Sequence, residues 1–382
     1  MRGNITRRGK ASWRLKFDLG TDPATGARQT RFVTVKGRRP AAERELTRLL
    51  NTADQGTFVD PSKTTVAEYI REWLAGADGL SAKTAERYRQ LAEQQIIPHL
   101  GAITLQKLKP TQVQTWHRTL AKSGGKSGRP LSSRTVGHAH RVLHRALARA
   151  VASEAIARNV ATVIRPPKVE AEEVATLSAG QIAEVLPKMD GHALGPIVTL
   201  AVSTGARRGE LCGLRWCDTD VDGATIKIER SMEETAEGLR VKAPKTKHAR
   251  RVIALPASAV EALRAHRRRQ LEQRLSLGLG RPDAEALVFA MPDGSPLPPD
   301  RLSRDWGLAV AALKLPKVTF HGLRHSHASA LIAAKVDVLT ISRRLGHGSP
   351  ATTLNVYAHR FSNTDETAAQ AIEAAIRTGA ER

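Results

Sequence analysis

Over the first sixty residues, apolar side chains fall on alternate positions: Trp13, Leu15, Phe17 and Leu19 are separated by polar neighbours, which predicts a strand with one buried face. Thr21 to Gly26 combines Asp, Pro, Thr and Gly in a hairpin connection, and Phe32, Val33 and Val35 supply a return strand. Pro40 opens a short helix through about Asn51. At Thr65 the period becomes helical, with Val66, Tyr69, Ile70, Trp73 and Leu74 on one stripe. Ser81 is placed to cap a helix to about Ile96, Thr111 one through Leu120, and Ser132 or Ser133 a long one lined by Val136, Val142, Leu143, Leu147 and Val151. Residues 64–165 therefore read as a domain of four helices. Two prolines and a charge run mark residues 166–175 as a linker. From 176 to 382, helices over Ser178–Leu186, Leu194–Val202, Ala257–Leu275 and Arg301–Leu313 mix with strands near Ala224–Arg230, Leu239–Lys242 and Arg251–Leu255. The fold class is multidomain α+β with helices dominant.

A chain of 382 residues can bury a sizeable core without disulfide or metal staples, and its composition excludes collagen-like, low-complexity and wholly disordered classes. Charge changes the picture: 60 Lys and Arg face 37 Asp and Glu, a net +23 that invites a polyanion. Residues 1–60 alone carry thirteen Lys and Arg against six Asp and Glu, so this small module can lay a basic sheet on DNA. Two cysteines, Cys212 and Cys217, are too few for a secreted disulfide framework and fit a reducing cytoplasm. No targeting or membrane-spanning segment is readable. His138, His140 and His144 share the long helix with Arg134, Arg141, Arg145 and Arg149. With no Cys or carboxylate to complete a metal site, that face reads as a basic, DNA-facing or solvated surface.

The chemistry-bearing residues lie in the last domain. In Thr204-Gly-Ala-Arg-Arg-Gly-Glu210 a break between two helices lets Arg207 project from the next helix's first turn. A planar guanidinium there suits an oxyanion, while a structural pair of Arg207 with Glu210 explains the same residues. Thr319-Phe-His-Gly-Leu-Arg-His325 puts His321 and Arg324 three apart on one helical face. His321, His325 and His327 find no fourth ligand spaced for zinc, and each alone is by default a satisfied surface or core histidine. Leu345-Gly-His347 ends a helix, and Tyr357 follows ten residues later. Tyr69 and Tyr88 sit on helical stripes where core packing explains them; a core aromatic is the plain reading of Tyr357 too, but its neighbours His347 and His359 are unusually polar for that role.

Taken in order, these fragments resemble the tyrosine recombinase, or phage integrase, family from roughly Thr65 to Arg382. The resemblance implies a helical core-binding domain of SAM-like type (64–165) and a catalytic domain (176–382). It implies that Arg207 and Arg324 clamp the scissile phosphate, that His321 and His347 hydrogen-bond it or move protons, that Tyr357 attacks, and that Glu210 orients the site. The family pattern Pro-Lys-Thr-Lys selects Lys245 over Lys247 as the catalytic lysine; periodicity cannot choose between them, and both can equally be DNA backbone contacts. The N-terminal module (1–60) resembles the three-stranded arm-site DNA-binding domains of integrases.

A phenolate attacking phosphorus makes a 3′-phosphotyrosyl link and conserves the phosphodiester's energy for rejoining, so neither cofactor nor metal is required. The partners implied are double-stranded DNA at core and arm sites, a homotetramer on that DNA, an excisionase and a DNA-bending host protein. The expectation is a site-specific recombinase that integrates and excises a phage or mobile element. Its rivals are a type IB topoisomerase-like nicking-closing enzyme and a catalytically silent DNA-binding regulator.

Overall fold

The computed structural model describes residues 3–21, 24–77, 79–170, 174–243, 249–358, 369–370, 372–374 and 376–377. It divides into two compact units, Met1–Glu170 and Ala171–Arg382.

The first unit begins with an antiparallel sheet of β1 (Gly3–Gly9), β2 (Ser12–Thr21) and β3 (Arg28–Lys36), in that order. Leu15 pairs with Ile5 on one side and Val33 on the other, so alternation puts these three on one face. Helix α1 (Arg39–Asp54) covers that face with Ala42, Leu46 and Leu49 against Leu15 and Phe17. Phe32 has the opposite parity to Val33 and Val35. It lies across from Lys16, is 51% exposed, and carries the Arg14 guanidinium over its ring at 4.2 Å. The outer face is thus basic around one exposed aromatic. Asp22 and Pro23 of the hairpin connection lie outside the described residues.

Four helical segments follow in the same unit. Thr65 caps α2 (Val66–Ala75): its hydroxyl accepts from the Glu68 amide at 3.2 Å and its amide donates to the Glu68 carboxylate at 2.8 Å. Helix α3 (Ala82–Leu91) widens into a π-turn over Ala92–Ile96 and continues as α4 (Ile97–Leu100). Pro98 explains the irregularity, since it has no amide hydrogen to donate and its ring crowds the preceding turn. The Trp116 indole donates to the Gln95 carbonyl in this turn at 2.7 Å. Helix α5 (Pro110–Ser123) starts at Pro110 with Lys109 as its N-cap, so Thr111 lies inside the helix rather than capping it. Ser132 caps α6 (Ser133–Ala152) through the Thr135 amide.

Val136, Val142, Leu143 and Leu147 are buried in one core with residues of α2 to α5, α6 packing on α3, the π-turn and α5, but Val151 is exposed. His140 corrects the reading of α6 as a wholly basic outer surface. It is 5% exposed and its Nδ1 lies 3.1 Å from Nε2 of His117 on α5, itself buried. Burial pushes His140 down to about 4, so the pair sits in the core uncharged.

The second unit opens with α7 (Ala179–Lys188), capped by Ser178, and α8 (Gly195–Thr204). Helix α8 is apolar on nearly every side and runs through the core, with α10 (Ala257–Ser276) and α12 (Phe320–Ala333) packed on it. Between α8 and α10 come the short α9 (Arg208–Cys212) and strands β4 (Thr219–Asp220), β5 (Thr225–Ile228), β6 (Ser231–Thr235), β7 (Gly238–Lys242) and β8 (Arg251–Ala254). They form a β4-β5-β8 sheet and a β6-β7 hairpin. Helices α11 (Pro299–Ala312), α13 (Val338–Leu345) and α14 (Pro350–Tyr357) complete the described elements. Most of the chain after Ala358 lies outside the described residues.

Leu147 lies 1% exposed at the centre of the helical core, where the long α6 meets its neighbours. Leu147→Ala should lower unfolding free energy by ~2–5 kcal/mol, read as a shift of the urea midpoint at unchanged slope.

Candidate active site

The turn after α8 sets the first phosphate-sized cation in place. Thr204, fully buried, donates its hydroxyl to the Leu200 carbonyl at 2.6 Å and accepts the Ala206 amide at 3.2 Å. Gly205 then turns left-handed at φ 64°, where a Cβ would lie 2.6 Å from the His327 ring, so only glycine fits. This delivers Arg207 as N-cap of α9, one position before the helical turn from which the sequence suggested it projects.

Arg207 and Glu210 close on each other. The Glu210 carboxylate accepts the Arg207 amide at 2.8 Å and its Nη1 at 2.8 Å, while Arg207 Nη2 donates to the Gly346 carbonyl at 3.0 Å. Glu210 is 4% exposed and has a second guanidinium, that of Arg251 on β8, at 2.8 Å. Burial opposes its charge, yet Arg251 and then Arg207 outweigh that and hold the Glu210 carboxyl below the usual carboxylate range. Arg251 also donates through Nε to the Arg344 carbonyl at 2.7 Å, pinning the last turn of α13. Nothing in the hydrophobic pattern singles out Arg251. Its signal was its position, the first residue of a strand directly after the lysine hairpin.

Helix α12 brings three more groups. Thr319 caps it through the Gly322 amide, so His321 and Arg324 fall in its first turn and a half with Leu323 buried behind them. Arg324 is 4% exposed and donates to the Gly205 carbonyl at 2.6 Å. Burial and the neighbouring Arg207 cation push it down to about 9, and Glu210 acts in the opposite direction; it stays a cation at neutral pH. His321 reaches solvent, yet partial desolvation, then His325, Arg324, Arg207 and Arg208, lower it to about 4. His327 is spent structurally: Nδ1 bonds the Val202 carbonyl at 2.7 Å and Nε2 accepts Arg344 Nε at 3.1 Å.

Gly346 ends α13 at φ 67°, where a Cβ would meet the Arg251 guanidinium at 2.7 Å. His347 follows, and its Nδ1 lies 2.8 Å from the hydroxyl of Thr353, a fully buried residue of α14. Burial first, then Arg324, Arg207 and Arg251, push His347 down to about 4. At the end of α14, Tyr357 is 3% exposed and packs with Ala328, Ile332, Ile341 and Leu345. Its hydroxyl is 2.6 Å from Nδ1 of His325, a residue left by sequence reasoning among ordinary histidines. Lys245 and Lys247 lie outside the described residues. Among the described residues no three His, Cys, Asp or Glu side chains group as metal ligands.

The site therefore assembles Arg207, Arg324, His321 and His347 as electrostatic neighbours, with Glu210 beneath them and Tyr357 close enough to act on Arg324. Such a cluster of fixed cations and neutral imidazoles is suited to an oxyanion next to a phenol.

The phage integrase family model matches residues 176–364, and the family's N-terminal SAM-like domain matches residues 65–121. The chain belongs to the phage integrase family. The integrase is a tyrosine-type site-specific DNA recombinase, as its relatives' names agree. An integrase of Streptomyces ambofaciens is 29% identical over 97% of this chain and 95% of its own length. A XerC-like tyrosine recombinase of Caldanaerobacter subterraneus subsp. tengcongensis is 27% identical over 93% of this chain and 94% of its own. In fold the integrase is similar to the integrase of the Tn1549 transposon, solved with transposon right-end DNA: TM-score 0.68, 22% identity, covering 81% of this chain and 99% of that one. The rival readings are not favoured.

Glu210 supplies a stability test for the integrase. Its depressed carboxyl stabilises the fold above the unfolded value near ~4.3, and that contribution is lost as pH falls through the lower folded value. Glu210→Ala, which strands the buried Arg251 charge, should cost ~3–5 kcal/mol at pH 7 in urea unfolding. The gap to wild type should narrow as pH is lowered below ~4.3, and a gap independent of pH would contradict the ion-pair origin.

Proposed function

We propose that the integrase cuts and rejoins DNA through Tyr357. The observation that carries this reading is the convergence of Arg207, Arg324, His321 and His347, with a buried tyrosine near enough to act on Arg324 and bonded through its hydroxyl to His325. Arg207 and Arg324 take the two nonbridging oxygens of the scissile phosphate, spreading its growing negative charge over guanidinium groups already locked by main-chain carbonyls. His321 and His347, held neutral, donate hydrogen bonds to the same phosphate. With Nδ1 of His347 engaged by Thr353, Nε2 is its nitrogen for substrate. Glu210 orients Arg207. Tyr357 attacks phosphorus, the P–O5′ bond breaks, and Lys245 protonates the departing oxygen.

Recognition of double-stranded DNA divides over the chain. Residues 64–165 contact the core site and residues 1–60 the arm site, through the basic outer face of the sheet around Phe32, Arg14 and Lys16. We place the reaction in a homotetramer in the host cytoplasm, with an excisionase and a DNA-bending protein controlling integration and excision of the mobile element. The names of the relatives, integrases of bacteria and of a transposon, support the last part of this reading.

Tyr357→Phe should abolish the denaturant-stable protein–DNA adduct on a nicked suicide substrate while leaving DNA affinity nearly intact, because one hydroxyl is lost from a surface of many phosphate contacts. An adduct formed by this variant would remove Tyr357 as nucleophile.

The lysine is tested with a 5′-bridging phosphorothiolate, whose thiolate leaves without a proton. Lys245→Ala should be slowed ~10²–10⁴-fold on ordinary DNA and largely rescued on the modified substrate, whereas Arg207→Ala should stay impaired on both. Selective rescue of Lys247→Ala instead would move the acid two residues along.

A further inference from the structure

A phenol has a pKa near ~10, so an attacking tyrosine has to hand its proton to something at neutral pH. In this site the hydroxyl of Tyr357 is on a residue only 3% exposed, which keeps bulk water from taking that proton directly. Among the described residues His325 reaches it: its Nδ1 is 2.6 Å from the hydroxyl oxygen, with the two rings 5.6 Å apart between centres. Of the other described histidines of the region, His327 has both nitrogens bonded to scaffold, and His347 has its Nδ1 on Thr353 and its Nε2 assigned above to the phosphate. His321 meets His325 edge to face at 5.0 Å.

The placement of His325 is also unusually well fixed for a base. It follows Arg324 on α12, and Arg324 is anchored to the Gly205 carbonyl. One rigid helix therefore sets both a proposed phosphate ligand and the partner of the nucleophile.

Resting on Tyr357 as nucleophile, we infer that His325 is a catalytic residue of the integrase, the general base that takes the phenolic proton through Nδ1. With its own hydrogen on Nε2, the neutral imidazole accepts the Tyr357 hydroxyl. As the Tyr357 Oη–P bond forms and P–O5′ breaks, the O–H pair stays on oxygen and the proton passes to Nδ1; the leaving O5′ receives its proton from Lys245. Rejoining reverses both transfers: the 5′-hydroxyl returns a proton to the lysine, and the imidazolium returns one to the phenolate. Among the described residues the groups facing His325 are His321 from its own helix, His347 beyond α13 and Tyr357 from α14, and Arg324 and Arg207 act on both His321 and His347.

The test is single-turnover adduct formation on the nicked suicide substrate from pH 5.5 to 9, with the full chain. Wild type should gain rate with pH along a limb set by an imidazole. His325→Asn, which can accept the hydrogen bond but not the proton, should be ~10²–10⁴-fold slower and lose that limb, while its DNA affinity and thermal unfolding stay near wild type. Incorporating 3-fluorotyrosine at 357 makes the phenol more acidic. It should speed His325→Asn by tenfold or more. In the otherwise native protein, which needs no variant to fold, it should leave the limb where it was.

A limb that moves down with the fluorinated phenol belongs to the tyrosine itself and overturns the assignment. So does a His325→Asn protein that keeps the wild-type rate, or one that is slow yet keeps the limb and ignores fluorination. Tyr357→Phe runs alongside: an adduct there fails the nucleophile reading, whereas a silent Tyr357→Phe beside an unaffected His325→Asn fails only the role of His325.

Discussion

Taking a carboxylate out of water costs several kcal/mol unless charge and hydrogen bonds replace the lost solvation, and Glu210 is 4% exposed. Its replacement solvation is two guanidinium groups, and each of them also holds something else. Arg207 reaches the Gly346 carbonyl and Arg251 the Arg344 carbonyl, so both grip the end of α13. That end places His347, which bonds Thr353 on α14, and α14 carries Tyr357. A single buried charge thus has a continuous mechanical path to the proposed nucleophile. Removing it would loosen a helix terminus as well as an arginine.

The second constraint is electrostatic. Arg207, Arg251, Arg324 and Arg344 crowd one end of α8, with Glu210 the one buried carboxylate among the described residues there. Burial first, and the excess positive charge after it, depress His321, His327 and His347. In the protein alone this arrangement is held apart from its natural balance, because cations in a partly dry pocket repel one another. On the proposed reading, an entering phosphodiester would relieve that repulsion, so the energy stored in placing the arginines would be returned on binding. Neutral imidazoles serve this economy better than charged ones: they hydrogen-bond without adding to the repulsion.

Periodicity made the scaffold legible. The alternation of Leu15, Phe17 and Val33 and the stripes of α2 and α6 each have one partner surface, so burial follows pattern. Thr111 failed as a cap because Pro110, preset at helical φ, begins the helix first. His140 failed as a surface residue because a second histidine, 23 positions earlier, satisfies it in the core; no local pattern can announce a partner at that range. The site shows the same division. Motif residues spaced three or ten apart could be read directly. Arg251 and His325 could not, since their importance lies in contacts with Glu210, 41 positions away, and Tyr357, 32 away.

Both proposed phosphate-clamping arginines are steadied by backbone: Arg324 by the carbonyl of Gly205 and Arg207 by that of Gly346, each a left-handed glycine closing a helix. A carbonyl has no side chain to substitute, so the requirement it imposes is on the path of the chain rather than on the chemistry of neighbouring residues. The proposed grip then rests on the handedness of two turns as much as on the Glu210 and Arg251 side chains that brace Arg207 and the end of α13.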